Sequence, residues 1–423
     1  KFISAKRFDG KSQLRKNIFA LIQGLCFRHG NRHDDWRLQT LTVDLFLLKI
    51  LHQPLIVYFL VSSMLIHKKQ LVFIFDQPIE SLKKIMEKSR RLFYPDFIRV
   101  AALFCVLIYH FQVEARRWTG AFQGIPRLES GIHGIDIGQI GVSLYFILSG
   151  ASLMISKKPF HIVAFYKNRI LTLFPAYYLV WFGAFVGTLL LSPESLEGVK
   201  PWTICFTVLG LDGYLLEVCP NFYKVGEWFF GCLLLIYLVY PLLRKGMERY
   251  PKLFLSVVFG FWGLCILFAQ TSLLAERTFY MRIPEFVLGM YFMKYWNKHI
   301  NVQGMIGVVL SIFSLWISPL FGNAQILCLA GCGCGVFMTL RMIASWIDGF
   351  SIAKIRRVIV GLAGISFEIF LLHHFALIHI LRIFFGDREL SQWGGAVLSV
   401  GWFVIIGGFA WILHKVIGKI KAG

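Results

Sequence analysis

Ten apolar stretches separated by short polar segments run through residues 97–413 of the chain. A bilayer core about 30 Å thick is crossed by about 20 residues of α-helix, because each residue advances the helix by about 1.5 Å. The stretches lie near residues 97–115, 139–156, 173–193, 228–243, 252–270, 283–296, 303–321, 324–340, 358–381 and 393–413. The sequence therefore predicts an all-α polytopic membrane protein with about ten transmembrane helices.

The composition excludes an ordinary soluble enzyme. The residues AVILMFWYC make up 57% of the 423 residues and charged residues only 16%, whereas soluble domains carry about 25% charged residues. The formal net charge of +21 would suggest nucleic acid on a soluble protein, but in a membrane protein it is typical of cytoplasmic loops, so no nucleic-acid partner is predicted. The nine cysteines, an odd number mostly within apolar stretches, argue against a disulfide framework.

The basic residues between the stretches predict an orientation. From the segment before the first stretch onward, the two alternating sets of loops hold 22 and 9 Lys and Arg residues. The positive-inside rule places the richer set in the cytoplasm. We therefore predict a multi-pass protein of the cell membrane, with both ends of the ten-helix unit cytoplasmic.

Residues 1–85 do not share this regularity, since His, Arg and Asp are scattered through them. The segment Met86-Glu-Lys-Ser-Arg-Arg directly precedes the first strong stretch and is typical of a natural start. We expect residues 1–85 to be an unassigned extension and residues 86–423 to be the membrane domain.

The first stretch contains two ionisable side chains, each of which costs about 2.5–3.5 kcal/mol inside a membrane on insertion scales. Arg99 and His110 are eleven residues apart, which is three helical turns plus about 20°, so they share one face at depths about 16 Å apart. One helix then carries a fixed cation near the cytoplasmic surface and a titratable base deeper in the membrane. The alternatives are a helix-end anchor for Arg99 and a packing histidine for His110.

Two further segments combine polar and apolar residues. Lys167 and Arg169 form a basic cluster that leads into the third stretch through Pro175, and such a cluster suits the phosphates of a cofactor or lipid, or is simply a positive-inside loop. Residues 141–150 mix small residues and hydroxyls, which indicates close helix packing with interhelical hydrogen bonds.

The later stretches add carboxylates and imidazoles. Glu227 and Trp228 lie at the predicted outer mouth of the fourth stretch, where the Trp suits the interfacial belt and the Glu could orient a hydroxyl-bearing acceptor. Glu368 precedes His373 and His374 within the ninth stretch. No ligand spacing typical of zinc is present, so a structural or substrate-facing role is favoured and no metal is predicted.

In this order and spacing, the motifs resemble those of the integral-membrane acyltransferase family 3, which O-acylates sugars of cell-surface polysaccharides and related acceptors. The resemblance spans about residues 90–415. Its most specific element is an Arg followed by ten residues and a His, here Arg99 and His110. It continues through residues 141–150, through Arg169 with Pro175, and through the segment Ser366-Phe-Glu-Ile-Phe-Leu-Leu-His.

The chain departs from the family pattern at two places. Many members have a second Arg three residues after the first, where this chain has Arg169-Ile-Leu-Thr, and Lys167 is then the substitute point charge. Many members also place a Glu a few residues after the Trp of the fourth span. Here the nearby acid is Glu227, directly before Trp228.

The resemblance implies transfer of an acyl group, most often acetyl, from cytoplasmic acyl-CoA to a hydroxyl of a glycan or lipid-linked glycan among membrane lipids. His110 is the candidate base, and it could instead carry the acyl group covalently. The candidates for binding acyl-CoA (acetyl-CoA) are Arg99, Lys167 and Arg169. The candidates for binding the acceptor are Glu227, Trp228, Arg282 and His373.

Two other classes of protein would also use intramembrane charges. A secondary transporter of an anionic substrate predicts internal repeats and paired broken helices, and neither is visible in the sequence. A glycan flippase or polymerase would share the substrate class without acyl chemistry.

Overall fold

The computed structural model describes residues 92–119, 128–155, 159–268, 275–350, 352–384 and 392–422. The predicted extension 1–85 and the predicted start at Met86 lie outside these residues. The α-helices within the described ranges are α1 (Tyr94–Thr119), α2 (Ile137–Ile155), α3 (Ile162–Leu191), α4 (Ile204–Leu209), α5 (Asp212–Leu215), α6 (Glu227–Arg249), α7 (Pro251–Phe268), α8 (Phe279–Lys294), α9 (Ile300–Phe321), α10 (Gln325–Gly349), α11 (Ala353–Gly364), α12 (Ser366–Phe384) and α13 (Gln392–Ala422).

The helices confirm an all-α polytopic membrane protein. Of the described helices, eight are long and apolar enough to cross a bilayer, namely α1, α2, α3, α6, α7, α9, α10 and α13. Helices α11 and α12 form a ninth candidate that is bent by 62° at its break. The sixth predicted stretch, 283–296, corresponds to α8, whose 16 residues span about 24 Å and fall short of the bilayer core.

The third predicted stretch begins earlier than expected. Helix α3 starts at Ile162 and contains Pro175 in its interior, so Pro175 does not lead into the helix and Lys167 and Arg169 are helical. Proline removes the hydrogen bond to the carbonyl four residues earlier. Membrane helices tolerate this loss where neighbouring groups compensate for it.

Helix α2 lies at the centre of the bundle, packed on α1, α8 and α10. A Cβ atom at Gly150 would overlap the Phe286 carbonyl, and one at Gly289 would overlap the Ile147 carbonyl, so α2 and α8 touch backbone to backbone. The Ser143 hydroxyl also donates across this contact to Glu285. The close packing and interhelical hydrogen bonding predicted for residues 141–150 are thus confirmed.

The segment between α3 and α6 is held by a buried aspartate. The Tyr177 hydroxyl donates to Asp212 Oδ1 at 2.8 Å and the Thr207 hydroxyl to Oδ2 at 3.2 Å, while Asn221 Nδ2 donates to the Asp212 carbonyl at 2.9 Å. Burial raises the pKa of the Asp212 carboxyl to about 6, against the smaller opposing effect of these hydrogen bonds. Asp212 therefore fixes the chain that enters α6 at Glu227.

Candidate active site

Three histidines and two glutamates from three helices converge in one place, here called the histidine cluster: His110, Glu114, Glu227, His373 and His374. The ring of His110 lies 4.9 Å from that of His373 and 5.1 Å from that of His374, measured between centroids. Imidazoles this close share one polar environment inside an apolar bundle. The cluster can therefore accept, hold and pass on a proton.

Local sequence explains how α1 and α12 build this cluster. His110 and Glu114 are four residues apart on α1, so they lie on the same face. Helix α12 packs on α1, and its neighbouring residues His373 and His374 flank the line of contact. Although adjacent helical residues point about 100° apart, both rings reach His110.

Glu227 reaches the cluster through an unusual turn. Gly226 has φ 96° and Glu227 has φ 46°, so two successive residues are left-handed where α6 begins. A left-handed conformation is costly for a residue other than glycine and is found where the surroundings enforce it. Here it brings Glu227 Oε1 to 2.5 Å from His374 Nδ1.

The carboxylates around His374 organise its ring. Its Nε2 lies 3.8 Å from Glu114 Oε1, opposite the nitrogen that faces Glu227. Tyr223 also hydrogen-bonds to Glu227, and burial together with that carboxylate raises the pKa of the Tyr223 phenol well above its usual range. The phenol thus stays protonated and donates to Glu227, so Glu227 has two partners that hold it in place.

His373 is completely buried, and only one of its two ring nitrogens is hydrogen-bonded. Its Nδ1 lies 2.5 Å from the Phe370 carbonyl oxygen. A carbonyl only accepts, so Nδ1 carries the hydrogen and Nε2 carries the lone pair. This Nε2 has no hydrogen-bond partner among the described residues.

A second polar site is a cavity of about 290 Å³ lined by Arg99, Tyr145, Leu148, Ser149, Ser152, Leu153, Arg169 and Tyr237, here called the arginine cavity. It brings Arg99 of α1 together with Arg169 of α3, two of the three residues predicted to bind the donor. The third, Lys167, is exposed and does not line the cavity. Arg99 also contacts Asp96, at 3.4 Å, and Arg169 lies 5.8 Å from the Tyr237 ring.

An aromatic wall connects the arginine cavity to the histidine cluster. Tyr145, which lines the cavity, lies 5.6 Å from Phe229, which lies 5.5 Å from Phe370, which lies 5.7 Å from His373, each measured between ring centroids. Along α1 the two sites are separated by the eleven residues from Arg99 to His110, about 16 Å. The two sites are thus joined by a continuous row of packed aromatic rings.

Trp228 and Arg282, both predicted to bind the acceptor, lie next to each other. The Arg282 guanidinium is 5.6 Å from the Trp228 ring and donates to Glu285 at 3.1 Å, where both charged side chains are only 1% exposed. Its Nε donates to the Glu276 carbonyl at 2.7 Å. Arg282 thus forms a buried ion pair within α8, and its partner Glu285 also accepts the hydrogen bond from Ser143 of α2.

A family model described as an acyltransferase domain matches residues 92–414. The chain belongs to acyltransferase family 3. No curated protein and no solved structure matches it. The match covers both the arginine cavity and the histidine cluster, so the membrane acyltransferase has its ionisable groups within the family domain.

His374 and Glu114 are functional candidates that the structure adds to those predicted from the sequence. Glu114 had a usable signal, because it follows His110 by one helical turn. Neighbouring residues of a helix point about 100° apart, which argues against His373 and His374 sharing a site, yet both rings reach His110. No ligand spacing could reveal His110, Glu227 and His373 as a group, because each is more than 100 residues from the next.

Proposed function

We propose that this acyltransferase moves an acetyl group from acyl-CoA to a hydroxyl of a cell-surface glycan or its lipid-linked precursor, and that His110 is the general base. The observation that carries the proposal is that one uninterrupted helix, α1, supplies Arg99 to the arginine cavity and His110 to the histidine cluster. Coenzyme A has phosphates at one end and its thioester at the other, joined by a long arm. Those two ends match the chemistry of the two sites.

Arg99 and Arg169 would bind the phosphates of acyl-CoA. A guanidinium forms two parallel hydrogen bonds with a phosphate, which a lysine ammonium cannot do. Arg99 and Arg169 approach the cavity from different helices and would hold one phosphate group from two sides. With the predicted orientation this end of α1 faces the cytoplasm, where acyl-CoA is available.

The histidine cluster would take up the proton of the acceptor hydroxyl. As the acceptor oxygen attacks the thioester carbonyl carbon, its proton passes to a ring nitrogen of His110. A carbon–oxygen bond forms, the carbon–sulfur bond breaks, and the proton is delivered to the departing sulfur to give the free thiol of CoA. A positioned base of this kind contributes about 10²–10⁴-fold in rate.

The experiment compares Arg99→Lys, His110→Gln and the control Arg249→Lys in purified, reconstituted protein. Radiolabelled acetyl-CoA binding and transfer to a panel of oligosaccharides are both measured. We expect Arg99→Lys to weaken donor binding, because the lysine keeps the charge and loses the two-pronged contact. We expect His110→Gln to bind donor nearly as the parent does and to lose about 10²–10⁴-fold in transfer rate.

The exposed Arg249 at the end of α6 lies outside both sites, so Arg249→Lys should match the parent in both assays. Transfer by His110→Gln at the parent rate would show that His110 is a packing residue. A parent that binds no acetyl-CoA, and neither hydrolyses it nor transfers from it, would refute acetyl-CoA as the donor.

A further inference from the structure

The histidine cluster contains a set of metal-ligand atoms. His110, Glu227 and His373 each offer one donor atom, and these atoms all lie within 4.8 Å of one another. A tetrahedral zinc ion with bonds of about 2.0–2.1 Å holds its donors about 3.4 Å apart. Each pair therefore has to close by at most roughly 1.4 Å, which side-chain rotations can supply.

His373 has the clearest geometry of a metal ligand among these three residues. Its Nδ1–H faces the Phe370 carbonyl at 2.5 Å, and its Nε2 lone pair has no hydrogen-bond partner among the described residues although the side chain is fully buried. Histidines that bind metals characteristically donate their other ring N–H to a carbonyl or carboxylate. His373 already has that arrangement, with the ligating nitrogen unused.

Glu227 also has the outer hydrogen-bonding partners that a metal-ligating carboxylate has. Its carboxylate contacts His374 Nδ1 at 2.5 Å, and His374 in turn faces Glu114 at 3.8 Å. Such outer partners fix the orientation of a ligating carboxylate. Two imidazoles and one carboxylate suit zinc and leave its fourth position open, whereas Mg²⁺ and Ca²⁺ prefer oxygen ligands alone.

We propose that His110, His373 and Glu227 bind one zinc-class divalent ion and that the bound ion blocks acyl transfer. The blocking part rests on the proposed function, because the His110 lone pair cannot ligate a metal and accept the acceptor's proton at the same time. Metal binding itself does not depend on that function. The two parts can therefore be tested separately.

Zinc binding is measured on the purified full chain in lipid nanodiscs. The protein is stripped with a chelator, equilibrated with zinc, freed of excess metal and analysed by elemental mass spectrometry, and the visible absorption of bound Co²⁺ reports the coordination geometry. We expect one zinc ion per chain and the spectrum of tetrahedral cobalt. Loss of an outer partner alone weakens metal binding about 10–100-fold, so we expect His373→Gln and Glu227→Gln each to weaken it more than 100-fold.

The matched control is His379→Gln, on the same helix, where the ring nitrogen faces the Phe375 carbonyl at 2.9 Å and lies outside the cluster. It should retain the zinc. A parent without zinc, or His373→Gln and Glu227→Gln variants that both bind zinc as tightly as the parent, would overturn the site.

Inhibition is measured on the same samples. Zinc should stop acetyl transfer and a chelator should restore it. Transfer at full rate by the zinc-loaded parent would overturn the blocking part. A parent that binds zinc at these ligands but transfers no acetyl group under any condition would instead refute the proposed function and leave the metal site standing.

Discussion

Asp212→Asn tests the pH dependence that the fold predicts. Burial raises the pKa of this carboxyl from the ordinary 3.8 to about 6. Between those two values the folded protein keeps a proton that the unfolded chain has released. The stabilising contribution is therefore complete below about pH 4 and is lost as the pH rises through about 6.

The expected magnitude follows from the size of this difference. At about 1.4 kcal/mol per pH unit, a change from 3.8 to about 6 gives about 3 kcal/mol. Asparagine keeps an acceptor for the Tyr177 hydroxyl and cannot ionise. Between about pH 3 and pH 8 the parent should thus lose about 3 kcal/mol of unfolding free energy relative to Asp212→Asn.

The assay is denaturant unfolding in detergent, followed by tryptophan fluorescence at several pH values. Taking the difference between parent and variant removes the contribution of every other titrating group. Glu197→Gln, at an exposed position of the same segment, is the control and should run parallel to the parent. Parallel profiles for the parent and Asp212→Asn would show that the buried carboxyl is as acidic as an exposed one, which would refute the reasoning.

Three further predictions concern the ion pair, the helix contact and the orientation. Arg282→Met leaves the Glu285 carboxylate buried without its cation and should lower the unfolding free energy by about 3–5 kcal/mol. The double variant with Glu285→Met should recover most of that loss. An Arg282→Met variant as stable as the parent would refute the stabilising role of the ion pair. Gly289→Val should cost about 1–3 kcal/mol or more through overpacking, read in the same unfolding assay, and no loss would mean that α2 and α8 have room to separate. In a cysteine-free background, a cysteine in 244–252 should be labelled from the cytoplasm and one in 195–200 from outside, and the reverse pattern would overturn the predicted orientation.

The apolar stretches predicted the helices well because in lipid a backbone must satisfy its own hydrogen bonds, and a single helix does so within itself. The same rule says little about where a helix starts, breaks or falls short. Helix α8 is short and holds the buried Arg282 and Glu285. The break between α11 and α12 occurs at Ile365, directly after Gly364, but glycine is too common in apolar stretches for this one to predict a break. These features depend on packing against other helices.

The candidate site, too, could be predicted from the sequence only in part. Arg99 and His110 were predictable as a pair because one helix fixes their spacing. The meeting of Arg169 with Arg99 depends on how α3 lies against α1 and α2, and the approach of Glu227 depends on a left-handed turn at Gly226 and Glu227. A glycine before an acid is too common a pattern to predict that turn.

The rigidity of α1 sets a constraint on how the two sites work together. Residues 99–110 contain neither glycine nor proline, so the helix keeps Arg99 and His110 at a fixed separation of about 16 Å. The other residues of the histidine cluster are attached differently, since Glu227 follows a left-handed turn and His373 and His374 follow the bend at Ile365. Any adjustment of the cluster to an acceptor must therefore come from α6 and α12 moving around His110, while the distance from the arginine cavity to His110 stays constant.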